Sequence, residues 1–299
     1  MAYTRRQFRR VSLLGAEVDL VRRHQVVAFV ADAVLERRKA IVANHNLHSI
    51  YFCGKDARMT AFFSKADLIE IDSMPLVYWA RLLGLPTTQS NRCTYLDWRD
   101  SFWAAASAGG WRVYCLGGRP GVGEEAVRRL SLEWPGVTFA AHHGYFDQAS
   151  GSAENRAVLD DINAFNPDII LVGMGMPIQE TWVADNFDEI ATGVCLTVGA
   201  AIDYEAGAQP PAPRFLGGLC LEWLYRLVRD PRRLAGRYLV EPWTLMPRAL
   251  DDLASKLSPD QRRRSQTSPR MYAPGEGPEA EGGERHSDLA VEDRLSRAA

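Results

Sequence analysis

Four stretches of the chain carry side chains able to do chemistry. Asp72 ends the short apolar run ADLIEID and stands just before the strongly apolar SMPLVYWARLLGLP, so it falls at a strand-to-helix junction. A carboxylate there is either a helix cap or a base placed to take a proton. Asn44-His45-Asn46 follows the buried run Ala40 to Ala43, where polar groups reach a ligand or, more plainly, cap the next helix. Arg92, Asp97 and Arg99 mix with aromatic residues in NRCTYLDWRD, which alone reads as a polar loop and helix start. The longest stretch, from Asn166 to Tyr204, reads as a buried strand, a turn at Gly173 and Gly175, a helix begun by Gln179 and Glu180, and a second buried strand ending at Asp203. Polar groups at strand ends beside helix N-termini are where open α/β sheets bind ligands.

The elements that must hold these residues follow from hydrophobic period. Strands are expected over Val11 to Val18, Ala40 to Ala43, Asp67 to Ile71, Trp111 to Leu116, Val137 to Ala141 and Ile169 to Val172, and helices over His24 to Arg38, Lys55 to Ser64 and Ala153 to Phe165. Ile169 to Val172 is apolar throughout, as in strands covered on both faces. The alternation of strand and helix defines an α/β fold: a Rossmann-like, mostly parallel sheet flanked by helices, with a C-terminal helical appendage. CLGGRPGVGEEA supplies a glycine turn before a helix but lacks GK[ST] and GxGxxG, which disfavours a Walker site and a dinucleotide-dependent oxidoreductase. His142 and His143, adjacent in a strand, are expected to point to opposite faces and make poor joint metal ligands.

With 299 residues, 46% of them hydrophobic, the chain can bury one large α/β core. A net charge of −2 argues against nucleic acid as a partner. Cys53, Cys93, Cys115, Cys195 and Cys220 are widely spaced, as free thiols in a reducing compartment would be. The basic N-terminus has too short an apolar run for a signal peptide, and nothing approaches a spanning helix of about 20 apolar residues. These points imply a cytoplasmic protein. Beyond Asp203 two helices are expected, broken at Asp230-Pro231 with Asp230 as cap. Their Trp223, Leu224, Val228 and Trp243 interleave with Arg226, Arg229, Arg232, Arg233, Arg237 and Arg248, a pattern that suits anionic lipid or a helical flap with solvated arginines. The expected organisation is a catalytic core over 1–208, a membrane-associating helical appendage over 209–254, and a disordered tail over 255–299.

Taken in order, several blocks resemble one family, the bacterial WecG/TagA/CpsF glycosyltransferases. They are the Asn44 turn, IDSMPLVYWARLLGLP, Arg92 with Thr94 and Asp97, CLGGRPGVGEEA, WPGVTFAAHHGYF, PDIILVGMGMPIQETWV, VGAAIDYEAG and LEWLYRLVRDPRRLAGRYL. The resemblance implies an inverting transfer of a sugar from a UDP-sugar to a polyprenyl-diphosphate-linked glycan, in bacterial surface polysaccharide assembly. It implies that Asp72 is the general base and that Asn44, Arg92 and Gln179 line its pocket. Gly173, Gly175, Asp97 and Asp203 would bind substrate, while Arg226, Arg233 and Arg237 would face the leaving diphosphate. No metal or other cofactor is implied, because arginines can take the place of Mg²⁺. The implied partners are the UDP-sugar, the lipid-linked acceptor and the anionic inner face of the cell membrane, where the protein would sit peripherally; self-association stays open. The chain departs from the family pattern at Val42, Ser73, Tyr95-Leu96 and Pro211-Ala212-Pro213, around the expected sugar pocket, so the donor sugar stays open. The rival reading is a non-catalytic Rossmann-like nucleotide-binding or scaffold subunit, which would not need Asp72.

Overall fold

A computed structural model describes residues 8–213, 216 and 220–257 of the chain. It opens with a hairpin, β1 (Arg10–Leu13) and β2 (Ala16–Asp19), in place of the single strand expected over Val11 to Val18. Leu14 and Gly15, with φ of 53° and 73°, turn the chain in the left-handed region that two-residue hairpins require. Arg10 closes the ladder by donating to Asp19 (Nη2 to Oδ2, 2.7 Å).

Six parallel strands then form the sheet: β3 (Ala40–His45), β4 (Leu68–Ile71), β5 (Arg112–Gly117), β6 (Thr138–His142), β7 (Ile169–Gly173) and β8 (Val194–Thr197), in the order β4-β3-β8-β7-β5-β6. Alternate side chains feed two cores. Ile41, Ile71, Tyr114, Val172 and Trp182 pack on one face, and Val42, Leu68, Val113, Leu171 and Phe102 on the other. Burial on both faces is why the strands read as near-continuous apolar runs.

Helices α1 (Arg23–Leu35), α2 (Leu47–Cys53), α3 (Ala57–Lys65), α4 (Met74–Leu82), α5 (Tyr95–Ala108), α6 (Val122–Glu133), α7 (Ala153–Phe165), α8 (Ile178–Asn186) and α9 (Ala201–Glu205) accompany the strands. Asp203 therefore lies inside α9, past the end of β8, rather than at a strand end. His142 ends β6 while His143 has left it, so the rings stand on one side with centroids 4.5 Å apart instead of facing opposite ways.

The C-terminal segment forms α10 (Glu222–Arg229), α11 (Pro231–Ala235), a π-helical turn (Gly236–Val240), α12 (Glu241–Thr244) and α13 (Met246–Leu257). The break at Asp230-Pro231 is as expected, with the Asp230 carboxylate accepting from the Arg233 N–H. Helix α13 is tied to the core. Asp252 accepts from the Leu14 N–H (2.7 Å) and Trp79 Nε1 (2.8 Å), and Lys256 donates to the Leu82 carbonyl. Leu245, just before α13, is buried in the sheet's core. The helix runs to Leu257, past the expected boundary at 254, and the expected tail from residue 258 lies outside the described residues. Among the described residues no helix is long and apolar enough to cross a membrane. The five cysteines are free thiols.

Candidate active site

Asn44, Asp72 and Gln179 stand at the carboxyl ends of the strands β3, β4 and β7. Asp72 follows β4, and its N–H donates to the His45 carbonyl (2.9 Å), which extends the β3–β4 ladder by one bond. Its carboxylate is not a helix cap, since α4 starts after Ser73 without any side-chain capping bond. The side chain that fixes it is Asn46. The Asn46 Oδ1 caps α2 by accepting from the Ser49 N–H (3.1 Å), and its Nδ2 donates to Asp72 Oδ2 (3.1 Å). One amide thus starts a helix and aims the acid. Burial raises the Asp72 pKa, the Asn46 bond and the nearby Arg226 and Arg237 oppose that rise, and Glu222 adds to it. Glu70, two residues earlier and on the same side of β4 by strand alternation, is 3% exposed. Burial, with the Asp72 charge beside it, raises the Glu70 pKa well above the usual carboxylate range.

Asn44 and Gln179 brace the neighbouring strand ends. Asn44 Nδ2 donates to the Thr197 carbonyl at the end of β8 (2.6 Å). Gln179 is 2% exposed. Its Oε1 accepts from the Gly199 N–H (3.1 Å) and its Nε2 donates to Glu180 Oε1 (2.7 Å). Its amide holds the turn after β8 against the N-terminus of α8. Gly173 serves the same junction, because a Cβ there would stand 2.8 Å from the Gly199 carbonyl, while Gly175 takes φ of 81°. Glu180 is fully buried, and burial pushes its carboxyl up to about 7.

The third group joins the core to the C-terminal helices. Arg92 donates through Nη2 to Asp97 (3.2 Å) and through Nη1 to Glu222 on α10 (3.1 Å). Asp97 also accepts from the Thr94 N–H (3.1 Å) and hydroxyl (2.8 Å), so it caps α5 rather than presenting a free carboxylate. Arg226, one turn after Glu222, reaches the Tyr204 hydroxyl (3.3 Å). Arg237, on the π-helical turn, is sheltered enough that burial lowers its pKa, with Asp72 among the charges acting against that drop. Arg233 pairs with Asp230 (2.5 Å) and its side chain is 65% exposed, while its charge, like that of Arg237, acts on His48 of α2. Asp203 is not drawn into the group around Asp72; its pKa rises through burial, with Arg119 opposing.

In the sequence Asn46 reads as a ligand contact or a cap, and Tyr204 and Glu222 carry no signal of a role at the site. The capping motif was the visible signal at Asn46; a bond from the capping amide to a residue 26 positions away leaves no local trace. Two hydroxyls at the same edge, Ser73 Oγ after β4 and Thr197 Oγ1 on β8, are buried with no hydrogen-bond partner, a state polar groups rarely keep unless a ligand completes them. Among the described residues no three His, Cys, Asp or Glu side chains converge as a metal-ligand set.

A parallel α/β sheet with Asp72 at its carboxyl edge is a Rossmann-like arrangement, and open sheets of this kind bind ligands at that edge. A sequence model of the glycosyl transferase WecG/TagA/CpsF family matches residues 11–259, and the chain belongs to that family and is a glycosyltransferase. It is similar to the N-acetylglucosaminyldiphosphoundecaprenol N-acetyl-beta-D-mannosaminyltransferase of Staphylococcus aureus strain MRSA252, with 28% identity over 235 residues, 75% of this chain and 87% of the relative. The protein of the same description from Staphylococcus aureus strain MW2 is 27% identical over the same length, with the same coverage.

Proposed function

We propose that this glycosyltransferase moves a sugar from a UDP-sugar to a glycan carried on a polyprenyl diphosphate, with inversion and without a metal ion, in bacterial surface polysaccharide assembly. The observation that carries the reading is Asp72, aimed by Asn46 (3.1 Å) and held among Arg226, Arg237 and Glu222. In a single displacement the acceptor hydroxyl attacks the anomeric carbon from the face opposite UDP. Asp72 takes the hydroxyl proton as the new C–O bond forms, and the old anomeric C–O bond breaks to release UDP. The charge that develops on the leaving diphosphate needs cations already in place. Arg226 and Arg237 supply them in this reading, in the role that Mg²⁺ plays elsewhere. Arg233, paired with Asp230 on the surface, is left out of that role. Ser73 Oγ and Thr197 Oγ1 are free to bond sugar hydroxyls.

The acceptor class is supported by the description of the staphylococcal relatives, whose acceptor is a diphosphoundecaprenol-linked N-acetylglucosamine. In this reading residues 1–208 are the catalytic core and 209–254 the appendage that closes over it at the inner face of the cytoplasmic membrane. The test offers purified protein a panel of UDP-hexoses and UDP-N-acetylhexosamines, UDP-N-acetylmannosamine first, with a short lipid-diphosphate-linked N-acetylglucosamine acceptor. Release of UDP with formation of a lipid-linked disaccharide is the expected result. Failure of every donor on that acceptor would overturn the reading.

A further inference from the structure

Arg92 and Asp72 are both fixed to one residue, Ile71. Asp72 follows it in the chain, while Arg92 pairs with it across an isolated parallel bridge, with the Cys93 N–H donating to the Ile71 carbonyl (2.8 Å). One side of the Arg92 guanidinium is held by Asp97, which is itself locked as the cap of α5 and has a side chain only 1% exposed. The other side meets Glu222 of α10 at 3.1 Å, with the two side chains 10% and 24% exposed. A charge pair so sheltered from solvent is worth more than a surface pair.

Helix α10 has two polar contacts with the site, and they are one turn apart. Glu222 and Arg226 stand at i and i+4, on one face of the helix, and the remaining surface of α10 carries exposed Trp223, Leu224 and Val228. None of the α10 side chains is fully buried; Trp223 meets the Tyr238 ring edge-on (centroids 6.1 Å apart), and Glu222 ties the helix to the core through Arg92.

We propose that Glu222 is a positioning residue: by docking on Arg92 it sets the register of α10 over the site and so holds Arg226 toward Asp72 and the leaving diphosphate. Arg92 is then the receptor for this latch rather than a group that touches the donor. The inference rests on the reading of Asp72 and Arg226 given above, but its first test does not depend on catalysis.

That test is limited trypsin digestion at Arg229, Arg232 and Arg233, followed by mass spectrometry at a fixed temperature well below unfolding. Loss of one charge-assisted bond of this kind is worth about a tenfold change in the open population. Glu222→Gln should therefore speed cleavage at these sites about tenfold. Arg92→Lys, which keeps a charge near Asp97 but loses the fork, should do the same, and the double variant should be cleaved no faster than either. Glu222→Asp should recover part of the protection. The second test is kinetic. Glu222→Gln should raise the KM for the UDP-sugar, and in an Arg226→Gln background it should change nothing further, because a latch acting through Arg226 has nothing left to position. A mere loss of folded protein would lower kcat and leave KM alone. Unchanged cleavage in Glu222→Gln, or additive effects of Glu222→Gln and Arg226→Gln on KM, would overturn the latch while leaving the glycosyl transfer reading intact. Absence of transfer by the wild type with faster cleavage in Glu222→Gln would instead overturn the transfer reading alone.

Discussion

Asp72 illustrates how one side chain is given a task at a cost to the fold. Its pKa is raised by burial, so it holds a proton more tightly folded than unfolded. The resulting stability is present in full below the unfolded pKa and is lost as pH rises through the folded one. The ionised form that can act as a base is thus the less stable form. Two outcomes follow. Asp72→Asn should be at least as stable as the wild type at neutral pH by thermal melting. The kcat/KM of the wild type should fall as pH drops through a value above the ordinary aspartate range, set by burial, Asn46, Arg226, Arg237 and Glu222 acting together. Asn46→Ala removes a bond that favours the carboxylate, so the acidic limb should move to higher pH. An unmoved limb would mean that Asn46 does not act on Asp72. Of these features, the sequence shows only that an acid sits at a strand-to-helix junction. The difference between a cap and a base lies in which N–H groups are near it, and those belong to other segments.

Elements were legible to the degree that their signals are local. Strand β7 and helices α7 and α11 stand where apolar runs, the Asp230 cap and Pro231 put them. The β1–β2 hairpin was hidden because Leu14-Gly15 lacks the usual Asn-Gly or Asp-Gly signature. The docking of α13 was hidden for another reason: Asp252 reaches Leu14, 238 residues earlier, and Trp79, 173 residues earlier. Asp252→Ala would leave both donors without an acceptor, a loss of about 2 kcal/mol in a partly buried setting. Urea unfolding followed by near-ultraviolet circular dichroism should show the midpoint drop. No change would mean that α13 is not held by these bonds. Glu222 and Arg92, 130 residues apart, were invisible in the same way.

Across the molecule the C-terminal arginines divide by direction. Arg226, Arg237 and Arg248 turn toward the core, the last donating to the Ile50 carbonyl (3.3 Å), while Arg229, Arg232 and Arg233 stay on the outside. The same C-terminal segment exposes Trp223, Leu224, Val228, Leu239, Val240 and Trp243, at 39% to 73%. Exposed apolar groups in such number, on the same segment as exposed arginines, suit an anionic lipid surface. Because Leu245 belongs to the core, removing the whole appendage would uncover apolar surface, and point changes give the cleaner test. Val240→Asp with Trp243→Ala should weaken co-sedimentation with vesicles of anionic phospholipid without lowering the melting temperature. Binding equal to wild type would count against a membrane-facing role for this surface.

All of this converges on whether Asp72 accepts the proton of an incoming hydroxyl. The most direct measurement compares the wild type and Asp72→Asn for sugar transfer from the preferred UDP-sugar to a lipid-diphosphate-linked acceptor at one pH, with UDP-sugar binding followed in parallel. Loss of transfer by a factor of about 10² to 10⁴ with donor binding retained is the expected result. Transfer by Asp72→Asn at the wild-type rate would contradict it.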